Sequence, residues 1–252
     1  MSVSLQDCTA STLHSDPTSG QARFWRLLPL ILAGFLGLTL TLWQSRPVLA
    51  ADPQCFTSLN GSTTFASSED AQALRDAIVA SNVGDTVRIA GTCAGAVTQS
   101  GTSQVALITK RLTLSGGYTI TNWSLQDPVT NPTLLDALSA GRVIYASQPL
   151  TLVHLILQNG SVADGNGGAL YAGSTLWLSG GQIHQSSAIG SYPNGYGGGA
   201  YVTGNATISG TSFLRNTAGY NGGGTYETGN EAITGTSFLS NTAIYGGGTY
   251  VS

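Results

Sequence analysis

Few side chains in the second half of this 252-residue chain can move a proton or hold a metal. Beyond Leu150 the charged residues are Asp164, Arg215, Glu227 and Glu231, and the histidines are His154 and His184. Acid–base cleavage of a polymer needs two carboxylates brought together, or a cation set beside carboxylates. Arg215 with Glu227 or Glu231 is the best such set, because adjacent turns of a coiled chain can bring them together; the simpler reading is solvated charges on loops. The two histidines fall at non-equivalent points of the chain's internal repeat, so they do not stack as a metal pair and read as surface or turn residues. Asp164-Gly165-Asn166-Gly167-Gly168 begins like a calcium loop but lacks the remaining carboxylates, so it reads as a turn. Gly222-Gly223-Gly224 is followed by no Lys-Ser/Thr and by no helix, which excludes a phosphate cradle. These residues designate no catalytic group, no cofactor and no metal ligand, and they lean away from an enzyme.

The elements that would position any site are set by repeats. Ser209-Gly210-Thr211-Ser212-Phe213-Leu214-Arg215-Asn216-Thr217-Ala218 returns 25 residues later as Thr234-Gly235-Thr236-Ser237-Phe238-Leu239-Ser240-Asn241-Thr242-Ala243, with a looser copy 30 residues upstream around Ile183. A second landmark, Gly-Gly followed by a tyrosine, recurs at Tyr171, Tyr201, Tyr226 and Tyr250, at spacings of 30, 25 and 24. The longer first interval holds Ser191-Tyr192-Pro193-Asn194-Gly195, an insertion of the kind solenoid corners tolerate. Each unit has room for about three short strands separated by Gly, Asn or Ser turns, and none can bury an apolar face alone. Stacked at the strand spacing of about 4.8 Å, equivalent positions form columns. One is Ile183, Phe213 and Phe238; another is Leu178, Ile208 and Ile233; a third is the four tyrosines. Alternation turns Thr211 and Phe213 inward, and Asn216 over Asn241 can satisfy turn backbone by hydrogen-bonding along the column. Glu231 aligns with Ala206 and Leu176 at an inward position, so its strand is expected to begin at Ala232, with the carboxylate at a solvated corner. The expected fold is all-β, a right-handed parallel β-helix.

Upstream, apolar strands over 105–108, 112–114, 143–145 and 150–157 are separated by turn signals, and 121–138 reads as an excursion from the stack. One helix is expected over 67–80, with Ser at its cap, acids in its first turn and Ala73, Leu74, Ala77 and Ile78 on one face. It is placed to cover the first open strand edge. Arg23 and Arg26 precede an apolar run over 27–42 and then Val48-Leu49-Ala50, the pattern of a signal peptide cleaved after Ala50 or of an uncleaved anchor. The organisation is therefore 1–50 signal or anchor, 51–85 cap with helix, and 86–252 β-helix coils. The exported part contains Cys55 and Cys93, which can pair in an oxidising compartment. A landmark immediately precedes Ser252, so a further coil, or pairing of that end with another chain, is expected.

The Phe-x-x-Asn motifs at 213–216 and 238–241, alternating with the Gly-Gly landmarks, resemble the repeat of the chlamydial polymorphic outer-membrane proteins and related surface proteins of the pectin-lyase-like β-helix superfamily. The helix followed by Gly84-Asp85-Thr86-Val87-Arg88-Ile89 and Thr109-Lys110-Arg111-Leu112-Thr113-Leu114 looks like the N-terminal coils common there. The resemblance implies a secreted or surface protein, with adhesion known in some relatives. Ile183-His184-Gln185-Ser186 departs from the motif, and neither a paired Asp motif nor Arg-x-Lys is present.

With 8% charged residues and a formal net charge of -3, the chain has no basic footprint for nucleic acid. Outward hydroxyl columns (Thr217 over Thr242, Ser212 over Ser237), with Tyr192, Tyr196, Tyr220, Tyr245 and Trp177, suit a glycan or another cell-surface protein as partner. β-propensity alone also accounts for the threonines. A carbohydrate-active enzyme and a ligand-free stalk are the alternatives, and the membrane would be met only through the N-terminal segment.

Overall fold

The computed structural model describes residues 54–252. The expected signal or anchor segment and Cys8 lie outside the described residues, among which no helix is long and apolar enough to cross a membrane.

Short strands with alternating burial wind into a parallel β-solenoid of about six turns. Three faces run its length. The first stacks Thr86–Ala94, Leu112–Ser115, Leu150–Val153, Leu176–Ser179, Ala206–Ser209 and Glu231–Thr234. The second continues from the far end of Thr86–Ala94 through Leu134–Asp136, Ile156–Gln158, Gln182–His184, Ser212–Leu214 and Ser237–Leu239. The third stacks Thr102–Ile108, Arg142–Ala146, Leu170–Ala172, Ala200–Val202, Thr225–Glu227 and Thr249–Val251. A narrow ribbon of Ser161–Val162, Ser187–Ala188 and Thr217–Ala218 bridges the second and third faces.

Because each strand pairs with its counterpart one turn away, inward positions meet like residues. Cys93, Leu135, Leu157, Ile183, Phe213 and Phe238 form one interior column, with the Phe213 and Phe238 rings stacked at 5.0 Å. Val87, Leu114, Leu152, Leu178, Ile208 and Ile233 form the opposite one. Both run into a single apolar core. The corner after the second face turns through a left-handed residue in four successive coils, Asn159, Gln185, Arg215 and Ser240. No glycine occupies it; a polar residue follows it in three of the four coils (Ser186, Asn216 and Asn241), whereas Gly160 follows Asn159. Asn216 and Asn241 point inward there, and their side chains bond to turn backbone. Ser186 stands at the same place one coil earlier and donates to His184 O while accepting from Gly160 N.

Several expectations are corrected. Residues 150–157 form two strands rather than one, bent at His154, whose φ is 51°. The excursion ends before Leu134–Asp136, which belongs to the second face. The helix is Gln72–Ala80; Ser68 lies in a preceding strand, Ala66–Ser68. Ser68 Oγ nevertheless accepts from Ala73 N and Asp70 Oδ1 from Gln72 N, so upstream side chains satisfy donors that a capping residue would otherwise take. The open edge of Thr86–Ala94 is covered by the antiparallel strand Cys55–Leu59. The helix instead buries Ala73, Leu74, Ala77 and Ile78 in the core. A Cys55–Cys93 disulfide joins the covering strand to the first coil across 38 residues, a closure that contributes about 4 kcal/mol in the chain-entropy account.

Candidate functional site

The tyrosines sit at the middle of third-face strands whose flanking residues, such as Leu170 and Ala172 or Ala200 and Val202, point inward. Alternation therefore puts Tyr171, Tyr201, Tyr226 and Tyr250 on the outer surface. Tyr145 extends the ladder by one coil. Successive ring centroids lie 4.8, 5.2, 5.3 and 5.6 Å apart, nearly parallel. Tyr196 stacks on Tyr226 at 4.7 Å, and Tyr220 meets Tyr192, Tyr196 and Tyr245 edge to face. Since the ladder rings cover one another, the row presents mainly their edges; Tyr226, covered also by Tyr196, is only 9% exposed, and its hydroxyl donates to Ser252 Oγ. Open ring surface is offered by Tyr192 and Tyr245, 71% and 54% exposed. Burial raises the phenol pKa of Tyr171 and Tyr201, so both stay protonated donors at neutral pH.

Arg142 closes the ladder at its first coils. Its guanidinium lies 5.5 Å from the ring centres of Tyr145 and Tyr171 and donates to Gly167 O and Asn166 O. Burial lowers its pKa, with the two tyrosines opposing that effect. The arginine thus ties the 163–167 loop to the aromatic row.

On the first face the outward column is Thr113, Thr151, Trp177, Thr207 and Ala232, with Trp177 exposed among the threonines. On the second face Ser237 Oγ donates to Ser212 Oγ at 3.1 Å. Thr217 and Thr242 pair as a parallel bridge.

The charged set divides. Arg215 is an exposed corner residue with φ 55° and, among the described residues, makes no ion pair with either glutamate. Glu227 is wholly buried, at 0% exposure, which corrects the reading of a solvated loop charge. It occupies the inward column of Ala146, Ala172 and Val202. Glu231 begins its strand in register with Ala206, so it faces inward and half-buried rather than turning out to a solvated corner. The hydroxyls of Thr225 and Thr249 lie between the two carboxyl groups. Desolvation, then the charge of Glu231, pushes the Glu227 pKa up to about 9.

Asp164 accepts from Asn194 Nδ2, and Asn166 Oδ1 from Tyr196 N, so that loop's side-chain oxygens are engaged by the corresponding loop of the next coil. His184 bonds Gln185. His154 sits beside Gly180 and lines a groove of about 370 Å³ beneath the excursion, with Pro128, Val129, Pro132, Thr133 and Ile156. That groove has no carboxylate to pair with the imidazole. Two features are not apparent from the motifs alone. Tyr145 precedes Tyr171 by 26 residues, within the repeat period, but follows no Gly-Gly landmark. The inward register of Glu227 is signalled in the sequence only by its alignment with Val202 and Ala172.

No protein-family model, curated protein or solved structure matches the chain. The fold and these surfaces define a parallel β-solenoid repeat protein.

Proposed function

We propose that this chain is an exported, non-catalytic β-helix repeat protein of the pectin-lyase-like kind that contacts a glycan or another cell-surface protein. The carrying observation is the outer tyrosine row, with hydroxyls repeating at the coil spacing and the open rings of Tyr192 and Tyr245 beside it. A row of donors and acceptors at strand spacing suits a polymer with repeating hydroxyls, and uncovered aromatic rings suit the apolar faces of sugars. The resemblance to bacterial surface repeats and the signal-like N-terminus support the same reading. The paired glutamates give no comparable support for glycoside cleavage, because Glu227 is enclosed by the core, out of reach of a polymer.

A glycan array run beside lyase and hydrolase assays on acidic polysaccharides tests this. Retention of a glycan class without turnover is expected, with retention falling at least roughly fivefold in Tyr192→Ala/Tyr245→Ala, since losing two exposed aromatic contacts removes about 1 kcal/mol or more. Turnover of any polymer would overturn the reading, and absence of any ligand would favour a stalk.

A further inference from the structure

The interior of the last two coils breaks the apolar rule of the rest. Thr225 and Thr249 stack in the column that holds Ile144, Leu170 and Ala200 below them. Glu227 follows Val202, and Glu231 follows Ala206. Five of the six oxygens on these four side chains are linked by short separations. Thr225 Oγ1 donates to Thr249 Oγ1 at 2.9 Å and lies 3.4 Å from Glu231 Oε1. Thr249 Oγ1 lies 3.2 Å from each Glu231 oxygen and 3.3 Å from Glu227 Oε2. The two threonine hydroxyls donate into this set. Glu227 Oε1 is buried and has no hydrogen-bond partner among the described residues.

We infer that Glu227 and Glu231, with the hydroxyls of Thr225 and Thr249, form a binding site for a hard divalent cation, calcium in first place. Three physical points converge on a cation. Buried carboxylates need compensation, and the one Lys or Arg beyond Leu150, Arg215, is at an exposed corner without an ion pair to them. The ligands are all oxygen, which selects calcium or magnesium over softer metals. The oxygen separations of 2.9–3.4 Å match the edges of a coordination shell: at a metal–oxygen distance of about 2.4 Å, neighbouring ligands of an octahedron stand about 3.4 Å apart. Water would complete the roughly six to eight ligands that calcium takes. Calcium is favoured over magnesium because it gives up water more readily in a partly enclosed cage.

Chelator-treated protein is titrated with calcium and, separately, magnesium at mildly alkaline pH, following thermal melting and the heat of binding. One calcium site is expected, with melting raised by roughly 5–10 °C at a hundredfold excess over Kd, and a smaller response to magnesium. In Glu227→Gln, which keeps the shape and removes the charge, the protein should fold in chelator and lose the calcium response. Glu231→Gln, at the half-exposed position, should do the same and serves if the first variant fails to fold. Absence of a response to either ion, or an undiminished response in a folded variant, would overturn the site.

Discussion

Asn241 Oδ1 accepts both the backbone N–H and the side-chain amide of Asn216, each at 3.0 Å. Asn216 passes the pattern down: its Nδ2 donates to Ile183 O and its Oδ1 accepts from Ser186 N. Asn216→Ala would leave the buried Ser186 N–H unpaired and remove the side-chain bond to Ile183 O beside a left-handed turn, at a cost of about 1–3 kcal/mol. Asn241→Ala, half-buried in the last coil, should cost less than half as much. Urea unfolding of the two variants checks the order, and equal losses would contradict the ladder.

Phe213 is fully buried between Ile183 and Phe238, while Phe238 is only partly covered. Phe213→Ala should therefore cost about 3–5 kcal/mol, whereas Phe238→Ala should cost clearly less than that range. The same unfolding experiment decides this, and a reversed order would place the core elsewhere.

In the cation-free protein Glu227 makes stability depend on pH. Its pKa rises from 4.5 to about 9 on folding, so the folded chain binds the proton more tightly. This contribution is fully present below pH 4.5 and is lost as pH rises through about 9, at no more than about 1.4 kcal/mol per pH unit. Melting in chelator should fall across that window, and the fall should be largely absent in Glu227→Gln. A wild-type profile that is flat or rises would exclude the buried neutral carboxyl.

Much of the solenoid was legible because stacking makes period equal to contact. A residue 24 to 30 positions from its copy must lie one coil away, so Phe213 over Phe238 and Tyr201 over Tyr226 came from spacing alone. The earlier coils carry the same inward columns without motif similarity, and so the strand Leu134–Asp136 was hidden inside the excursion. The edge-covering role of Cys55–Leu59 was equally hidden, since an antiparallel cap shares no period with the coils.

The sequence by itself determined the coil, its repeat length and the residues that share a column, because those depend only on spacing along the chain. Tertiary structure decided which side of their strands the tyrosines and the two glutamates took. Tyrosine suits either side, and alternation around Leu170, Ala200 and Val202 sent the ladder outward. That same alternation carried Glu227 and Glu231 inward against their hydration, because in a strand the neighbours' burial, rather than a residue's own polarity, sets the direction of its side chain.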